Sequence, residues 1–220
     1  MLLHNVQTTN QNNKSRYHAA LIVYICMLLS GCSGHKPDEV LDLSDSIYWR
    51  EGDIVLRCGW GMESRAVVVN GRSTYSHTGL LHHDECSGWQ VVHAVPGEDT
   101  PEYIKSEAVA QFFQPMRARY GAWLRVNCCD SLAAQTTGYA LQKVAERVLF
   151  DNSYLLDDTT EIYCTELVWR SYRSVGIDVS SGLRHEVPHL FSSEGECILP
   201  SDIEMSKTTQ YVKPLKTKTL

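Results

Sequence analysis

The chain has 220 residues, 43% of them hydrophobic and 21% charged, with a formal net charge of −6. That length suffices for one domain with a real core and is too short to argue for two. An acidic chain without a basic cluster excludes nucleic acid, and an anionic membrane surface, as its main partner. There is no internal repeat and no long low-complexity block.

Residues 1–18 are polar, carry Lys14 and Arg16, and contain no acidic residue. Residues 19–29 (AALIVYICMLL) are a short apolar run. A spanning helix needs about 20 apolar residues, so this run reads as the h-region of a signal peptide, with an uncleaved anchor as the alternative. It ends in LSGC, residues 29–32, which resembles the lipobox of bacterial lipoproteins: small residues Ser30 and Gly31, then a cysteine that is diacylated and becomes the new N-terminus. The resemblance makes residues 1–31 a cleaved signal peptide, Cys32 the lipidation site, residues 32–45 a lipidated tether, and residues 46–220 the domain. Two or three acyl chains exceed the single-chain limit for stable attachment, so the mature protein is expected to stay on a membrane. Position 33 is Ser and not Asp, which by resemblance to enterobacterial lipoproteins favours the outer membrane, facing the periplasm. The signal carries off two of the 20 basic residues and none of the 26 acidic ones, which moves the formal charge from −6 to −8.

Of eight cysteines, Cys26 leaves with the signal and Cys32 is the lipid site. Cys58, Cys86, Cys128, Cys129, Cys164 and Cys197 remain. In an oxidising periplasm some are expected to pair, with a connectivity that spacing does not reveal. If Cys164 stays free for chemistry, at least one more must stay reduced. No CxxC pair exists, so a structural zinc site is not expected; no cofactor is expected either.

Residues 52–59 (GDIVLRCG) form a β-rich run opened by a Gly-Asp turn. Residues 60–75 are mostly loop-like, with AVVVN as one short element. Residues 76–81 (SHTGLL) resume a strand, HHDECSG makes a turn, and residues 89–95 (WQVVHAV) are the next strand, giving a β-hairpin. After a Pro-Gly-Glu-Asp loop, residues 107–113 suggest a short helix and 120–126 a strand. Residues 130–150 are the clearest helix. In EIYCTELVWRSY, Cys164, Leu167, Val168, Tyr172 and Val175 recur at helical spacing, while Glu166, Arg170 and Arg173 fall on the other side and Gly176 supplies a stop. ILPSDI and a strand, QYVKPL, follow. The pattern is α+β, a small antiparallel sheet packed with helices.

Cys164 heads its helix, where the dipole favours a thiolate. On this ground alone it is a buried structural thiol, half of a disulfide, or a nucleophile. His77 begins one strand of the hairpin and His93 lies in its partner, so the two are expected to come close. A ring held by a second polar group is what a general base needs, although strand histidines also serve local hydrogen bonding. HEVPH, residues 185–189, matches the zincin pattern, but Pro188 breaks the helical turn that zinc binding requires. His82, His83 and Asp84 fall in the turn and read as a solvated loop.

Taken in order, GDIVLR, SHTGLL, QVVHAVPG and IYCTELVWRSYRSVGI resemble the YaeF/YiiX-type members of the NlpC superfamily over residues 50–205. The resemblance implies a circularly permuted papain-like fold in which the histidine hairpin precedes the cysteine helix. By position, Cys164 matches the family nucleophile, His77 the base, and His93 the third polar position that orients the base. Thr165 replaces the usual Ser after the nucleophile. The resemblance implies a cysteine peptidase or amidase acting on a peptide or peptidoglycan-derived substrate. The alternatives are a lipid-directed acyl hydrolase or acyltransferase using the same Cys-His pair, and a non-enzymatic binding lipoprotein. Asp157, Asp158 and Glu161 precede Cys164, and carboxylates pointing at the thiol would raise its pKa.

Overall fold

The computed structural model describes residues 39–96, 103–156, 160–187 and 195–219. The signal peptide, the LSGC motif and Cys32 lie outside the described residues, as do Asp157, Asp158, Pro188 and His189.

Strands β1 (Glu39–Leu41), β2 (Ile54–Cys58), β3 (His77–Asp84), β4 (Gly88–His93), β5 (Lys105–Ala108), β6 (Tyr120–Val126), β7 (His185–Glu186), β8 (Glu196–Cys197), β9 (Thr209–Pro214) and β10 (Thr217–Thr219) are joined by helices. The helices are α1 (Met62–Gly71), α2 (Val109–Phe112), α3 (Asp130–Ala145), α4 (Cys164–Arg173) and α5 (Pro200–Glu204). Six strands form one antiparallel sheet in the order β5-β4-β3-β2-β6-β9. β1 pairs with β10 and β7 with β8 in two small ribbons.

Alternation along the strands gives the sheet two buried faces. Ile54, Leu56, Leu80, Val92, Ala122 and Leu124 pack with Ala140 of α3 and with Leu167, Val168 and Tyr172 of α4. Val55, Leu81, Val91 and Trp123 face the other way, against Trp49, Val109, Phe112 and Phe113. Each such side chain, fully buried, contributes roughly 1.5–3 kcal/mol, so a strand as apolar as β2 is stable only when covered on both sides. Two polar ties hold these layers in register. The Arg125 guanidinium donates to the Asp53 carboxylate at 2.7 Å, and the Tyr172 hydroxyl donates to the Gly52 carbonyl at 2.6 Å.

Several local expectations change. Residues 60–75 contain the helix α1, because Glu63 to Asn70 form no turn signal and the chain is held at both ends by the sheet and α5. β3 runs on through His82 and His83 to Asp84, so the hairpin turn is shorter than HHDECSG. Glu51 explains the extension: its carboxylate contacts His82 Nδ1 at 2.8 Å and accepts the His83 backbone N–H at 2.9 Å. The 130–150 helix ends at Ala145, where Arg147 takes a left-handed conformation. Residues 107–108 belong to β5, and only Val109 to Phe112 are helical. In α4, Glu166 is buried, not solvent-facing: its carboxylate lies 2.7 Å from Arg170 Nη2. Burial pushes that carboxyl up to about 8 against the pull of Arg170. None of the six cysteines from Cys58 to Cys197 is paired.

Candidate functional site

β2 and β3 place Arg57 directly opposite His77. Both therefore stand on the sheet face that carries Phe112. The His77 ring stacks on Phe112 at 5.6 Å, the His93 ring meets Phe112 edge-on at 5.1 Å, and the Arg57 guanidinium sits over the same ring at 4.7 Å. Arg57 Nη1 also donates to the Phe112 carbonyl at 3.0 Å. One phenyl ring thus fixes the planes of two imidazoles and a guanidinium.

Gly79 allows β4 to approach. A Cβ there would lie 2.5 Å from Val91 Cγ1 and 3.0 Å from both His93 Cβ and the Val92 carbonyl oxygen. A glycine inside a strand often marks such a close approach of backbone. The approach brings His77 Nε2 within 2.9 Å of His93 Nδ1. Behind His93, which is 0% exposed, lies the carboxylate of Glu107 on β5. His93 Nε2 and Glu107 Oε1 are 3.0 Å apart, a close charge contact lying off the line of an aligned hydrogen bond. Lys105 Nζ and Arg117 Nη1 each lie 3.1 Å from Glu107 Oε2.

The charges settle which nitrogen carries each proton. A carboxylate facing His93 Nε2 favours the N–H there, which leaves Nδ1 as an acceptor. His77 Nε2 then donates to it, and His77 Nδ1 is left unprotonated. Burial, followed by the Arg57 charge, holds His77 well below the usual imidazole value near 6.5. Burial also holds His93 down, to about 4, although Glu107 pulls the other way. Burial alone would raise Glu107, but His93 and Lys105 hold it down to about 2. The resting array is two neutral imidazoles on one carboxylate.

Cys164 reaches this array from the other layer. Tyr163 is extended and caps α4, and its hydroxyl accepts the Ile198 backbone N–H at 2.8 Å, which fixes where the helix begins. The sulfur contacts the Thr165 hydroxyl at 3.7 Å and accepts from the backbone N–H of Thr78, the residue after His77. Cys164 and His77 line one cleft of about 450 Å³, with Arg57, Trp60, Tyr154 and Leu199 among its walls. Burial pushes the thiol above its ordinary range, partly offset by Thr165, the Thr78 N–H and Arg57. Burial, not neighbouring carboxylates, is therefore what raises it. With His77 Nε2 directed at His93, Nδ1 is the remaining ring nitrogen of His77, in the cleft that Cys164 also lines.

The structure thus brings His77 and His93 into contact and sets Cys164 in the same cleft. Glu107, Arg57 and Phe112 were not singled out from the sequence. A charged residue inside IVLRC and the alternation of Lys105 with Glu107 were the available signals. His185 is elsewhere, 2.8 Å from Asp202. Cys197 also lines the cleft, and burial pushes its thiol up to about 12.

Sheet, helices and a thiol-imidazole cleft define a mixed α/β protein with antiparallel strands, and the comparisons with known proteins bear on that fold. No family model matches the chain, and no curated protein matches it. Among solved structures the chain is similar to YiiX from Escherichia coli O157:H7, with a TM-score of 0.61 and 18% identity, over 78% of this chain and 98% of that one. The fold is YiiX-like. YiiX is described as a metalloprotein. Among the described residues of this chain, no group of three or more His, Cys, Asp or Glu is arranged to hold a metal ion. His77, His93 and Glu107 direct their polar atoms at one another, so their donors do not fit that role.

Proposed function

We propose that this protein is a cysteine hydrolase that cleaves an amide, of peptidase or amidase type, with Cys164 as nucleophile, His77 as base and His93 as the group that orients it. The observation that carries this reading is the chain of contacts from Glu107 through His93 to His77, ending at the cleft that holds Cys164. Histidines preceding the cysteine along the chain, as here, is the order of a circularly permuted papain-like fold, which we assign to it.

The step starts from a neutral pair. Sγ attacks the carbonyl carbon as its proton passes to His77 Nδ1, and the C–S bond forms. The oxyanion is held by backbone N–H groups at the start of α4, a helix long enough to carry a dipole. His77 returns the proton to the leaving amine as the C–N bond breaks. Water, deprotonated by the same nitrogen, then releases the acid and the thiol.

The test is trapping of the acyl-enzyme with p-nitrophenyl acetate, read by intact and peptide mass spectrometry. It is best done with Cys86 and Cys129 replaced by serine, because both are exposed and the Ser131 hydroxyl holds Cys129 below its ordinary value. One acetyl group on Cys164, absent in His77→Ala, is the expected result. Acetylation elsewhere with Cys164 untouched, or Cys164 found in a native disulfide, overturns the proposal and favours a binding lipoprotein.

We also propose attachment to the outer membrane, periplasmic side, through lipidated Cys32. Among the described residues, no helix is long and apolar enough to cross a membrane. Cys32→Ala is expected to shift the protein from the membrane fraction to the soluble one or to leave the precursor uncleaved. An unmodified Cys32 in the purified mature protein defeats the assignment.

A further inference from the structure

Away from the Cys164 cleft, the short helical turn Ser44–Tyr48 carries two adjacent apolar side chains in the open. Ile47 is 78% exposed and Tyr48 56%. Their backbone is fixed. The Ser46 N–H donates to the Leu43 carbonyl at 3.0 Å and the Trp49 N–H to the Ser46 carbonyl at 3.2 Å. Arg125 Nη2 donates to the Tyr48 carbonyl at 2.7 Å, and Lys213 Nζ lies 5.2 Å from the centre of the Tyr48 ring. Apolar side chains exposed singly need no explanation, whereas a fixed aliphatic-aromatic pair beside several cations is the pattern of an interfacial contact.

Behind the turn is a pocket of about 420 Å³, with Tyr48, Trp49, Arg50, Trp123, Arg125 and Lys213 in its walls. Three wall residues are cations and none is a carboxylate. Arg125 is held by Asp53, and Lys213 by Asp45 at 3.0 Å. The Arg50 guanidinium has Asp130 at 3.9 Å, beyond hydrogen-bond reach, and both side chains are exposed. A buried donor of the same wall, Trp49 Nε1, has no acceptor among the described residues.

A phospholipid headgroup fits this combination. Its phosphate complements Arg50 and Lys213, and the layer beneath it receives the apolar side chains at the rim. A free phosphate accounts for the cations but leaves Ile47 and Tyr48 in water. Chain length agrees. Ser44 follows Cys32 by twelve residues, at most about 40 Å when extended, so an acylated Cys32 keeps the turn within reach of the bilayer. The net charge of −6 makes the contact local, an addition to the anchor and not a substitute for it.

We infer that the turn and its pocket form a membrane-docking face, on which Ile47 and Tyr48 enter the headgroup layer while Arg50 and Lys213 take a phospholipid phosphate. The inference rests on the lipid-anchor reading and adds a second contact, which fixes how the domain lies on the bilayer. The cleft lies beside this contact: Arg57 in its wall is opposite Gly121, four residues or about 13 Å along β6 from Arg125.

The experiment is co-sedimentation of the mature chain, residues 32–220, with vesicles of equal parts phosphatidylcholine and phosphatidylglycerol. The chain carries Cys32→Ser, so no acyl group contributes. Binding is expected, and Ile47→Ser, Tyr48→Ser and Arg50→Gln should each weaken it about fivefold, the size of one buried side chain or one attracted cation. All three side chains are exposed, so thermal midpoints should stay at the parent value. Equal binding by parent and variants overturns the inference, as does no binding at all. If inorganic phosphate raises the midpoint of the parent but not of Arg50→Gln with Lys213→Gln, while vesicles do not bind, the pocket takes free phosphate and the docking face is wrong. Lipidated Cys32 in the native protein without vesicle binding by the Cys32→Ser chain keeps the anchor and overturns the docking. An unmodified Cys32 with vesicle binding intact does the reverse.

Discussion

Cys164→Ser and His77→Ala are each expected to lower turnover at least about 10³-fold, because one removes the proposed nucleophile and the other the proposed base. Their effects on folding should differ. Serine fills the place of the thiol beside the Thr78 N–H, so the thermal midpoint should hardly move. Loss of the His77 ring leaves His93 Nδ1 without its donor, which costs about 1–3 kcal/mol for a buried acceptor and should lower the midpoint by several degrees. The pH profile of the parent protein carries the same logic. His77 must be neutral to accept the proton, and burial and Arg57 hold it well below 6.5. Activity should therefore persist on the acid side of 6.5 and fall only as His77 becomes protonated. A profile that halves near 6.5 or above means that His77 is not the base, and an active Cys164→Ser means that Cys164 is not the nucleophile.

Glu107→Gln is the second large effect. It keeps the shape and removes the charge that places the proton on His93 Nε2 and, through it, on His77 Nε2. A neutral amide fixes neither tautomer, so kcat is expected to fall about 10–100-fold, as second-layer groups behind a histidine commonly give, with KM little changed. The acid dependence of stability separates this from a packing fault. His93 is held down to about 4, so the folded state takes up its proton later than the unfolded chain does. That contribution is complete above about 6.5 and is lost as pH falls toward 4. Glu107 is held at about 2 against an ordinary 4.5, so its contribution is present above 4.5 and is lost between there and 2. Denaturation midpoints of the parent should therefore decline in two overlapping stages below 6.5. Glu107→Gln should lack the lower stage, and a variant that retains it shows that the carboxylate is not coupled to His93.

The parts of this site that were legible in the sequence are those whose neighbours in the chain announce them. Cys164 follows an extended tyrosine and opens a strongly amphipathic helix. His77 and His93 sit in β-patterned runs whose hairpin pairing follows from a short turn between them. Glu107 was hidden because its apolar neighbours Val109, Phe112 and Phe113 repeat at helical spacing, which drew the helix boundary two residues too early. Pairing with β4 overrides that local preference, since Glu107 is opposite Val91 in the ladder. Helix α1 failed for a related reason. It buries no residue, so it has no apolar stripe for periodicity to find. Glu166 falls with Arg170 and Arg173 on the charged side of the helix pattern, and Arg170 one turn later supplies the partner that permits its burial.

The order of the site along the chain has a consequence for how the protein is made. Arg57, His77, His93 and Glu107 all belong to the four consecutive strands β2 to β5, whereas Cys164 comes from α4, well downstream. Chains fold from the N-terminus as they are synthesised, at about 5–20 residues per second. The imidazole hairpin can therefore close before the thiol emerges, and the cysteine meets His77 only when α4 docks on strands β2 to β6, which precede it in the chain. Until that docking event Cys164 is an ordinary thiol among six, so the thiol and the imidazoles share a cleft only once the hairpin and α4 have both formed.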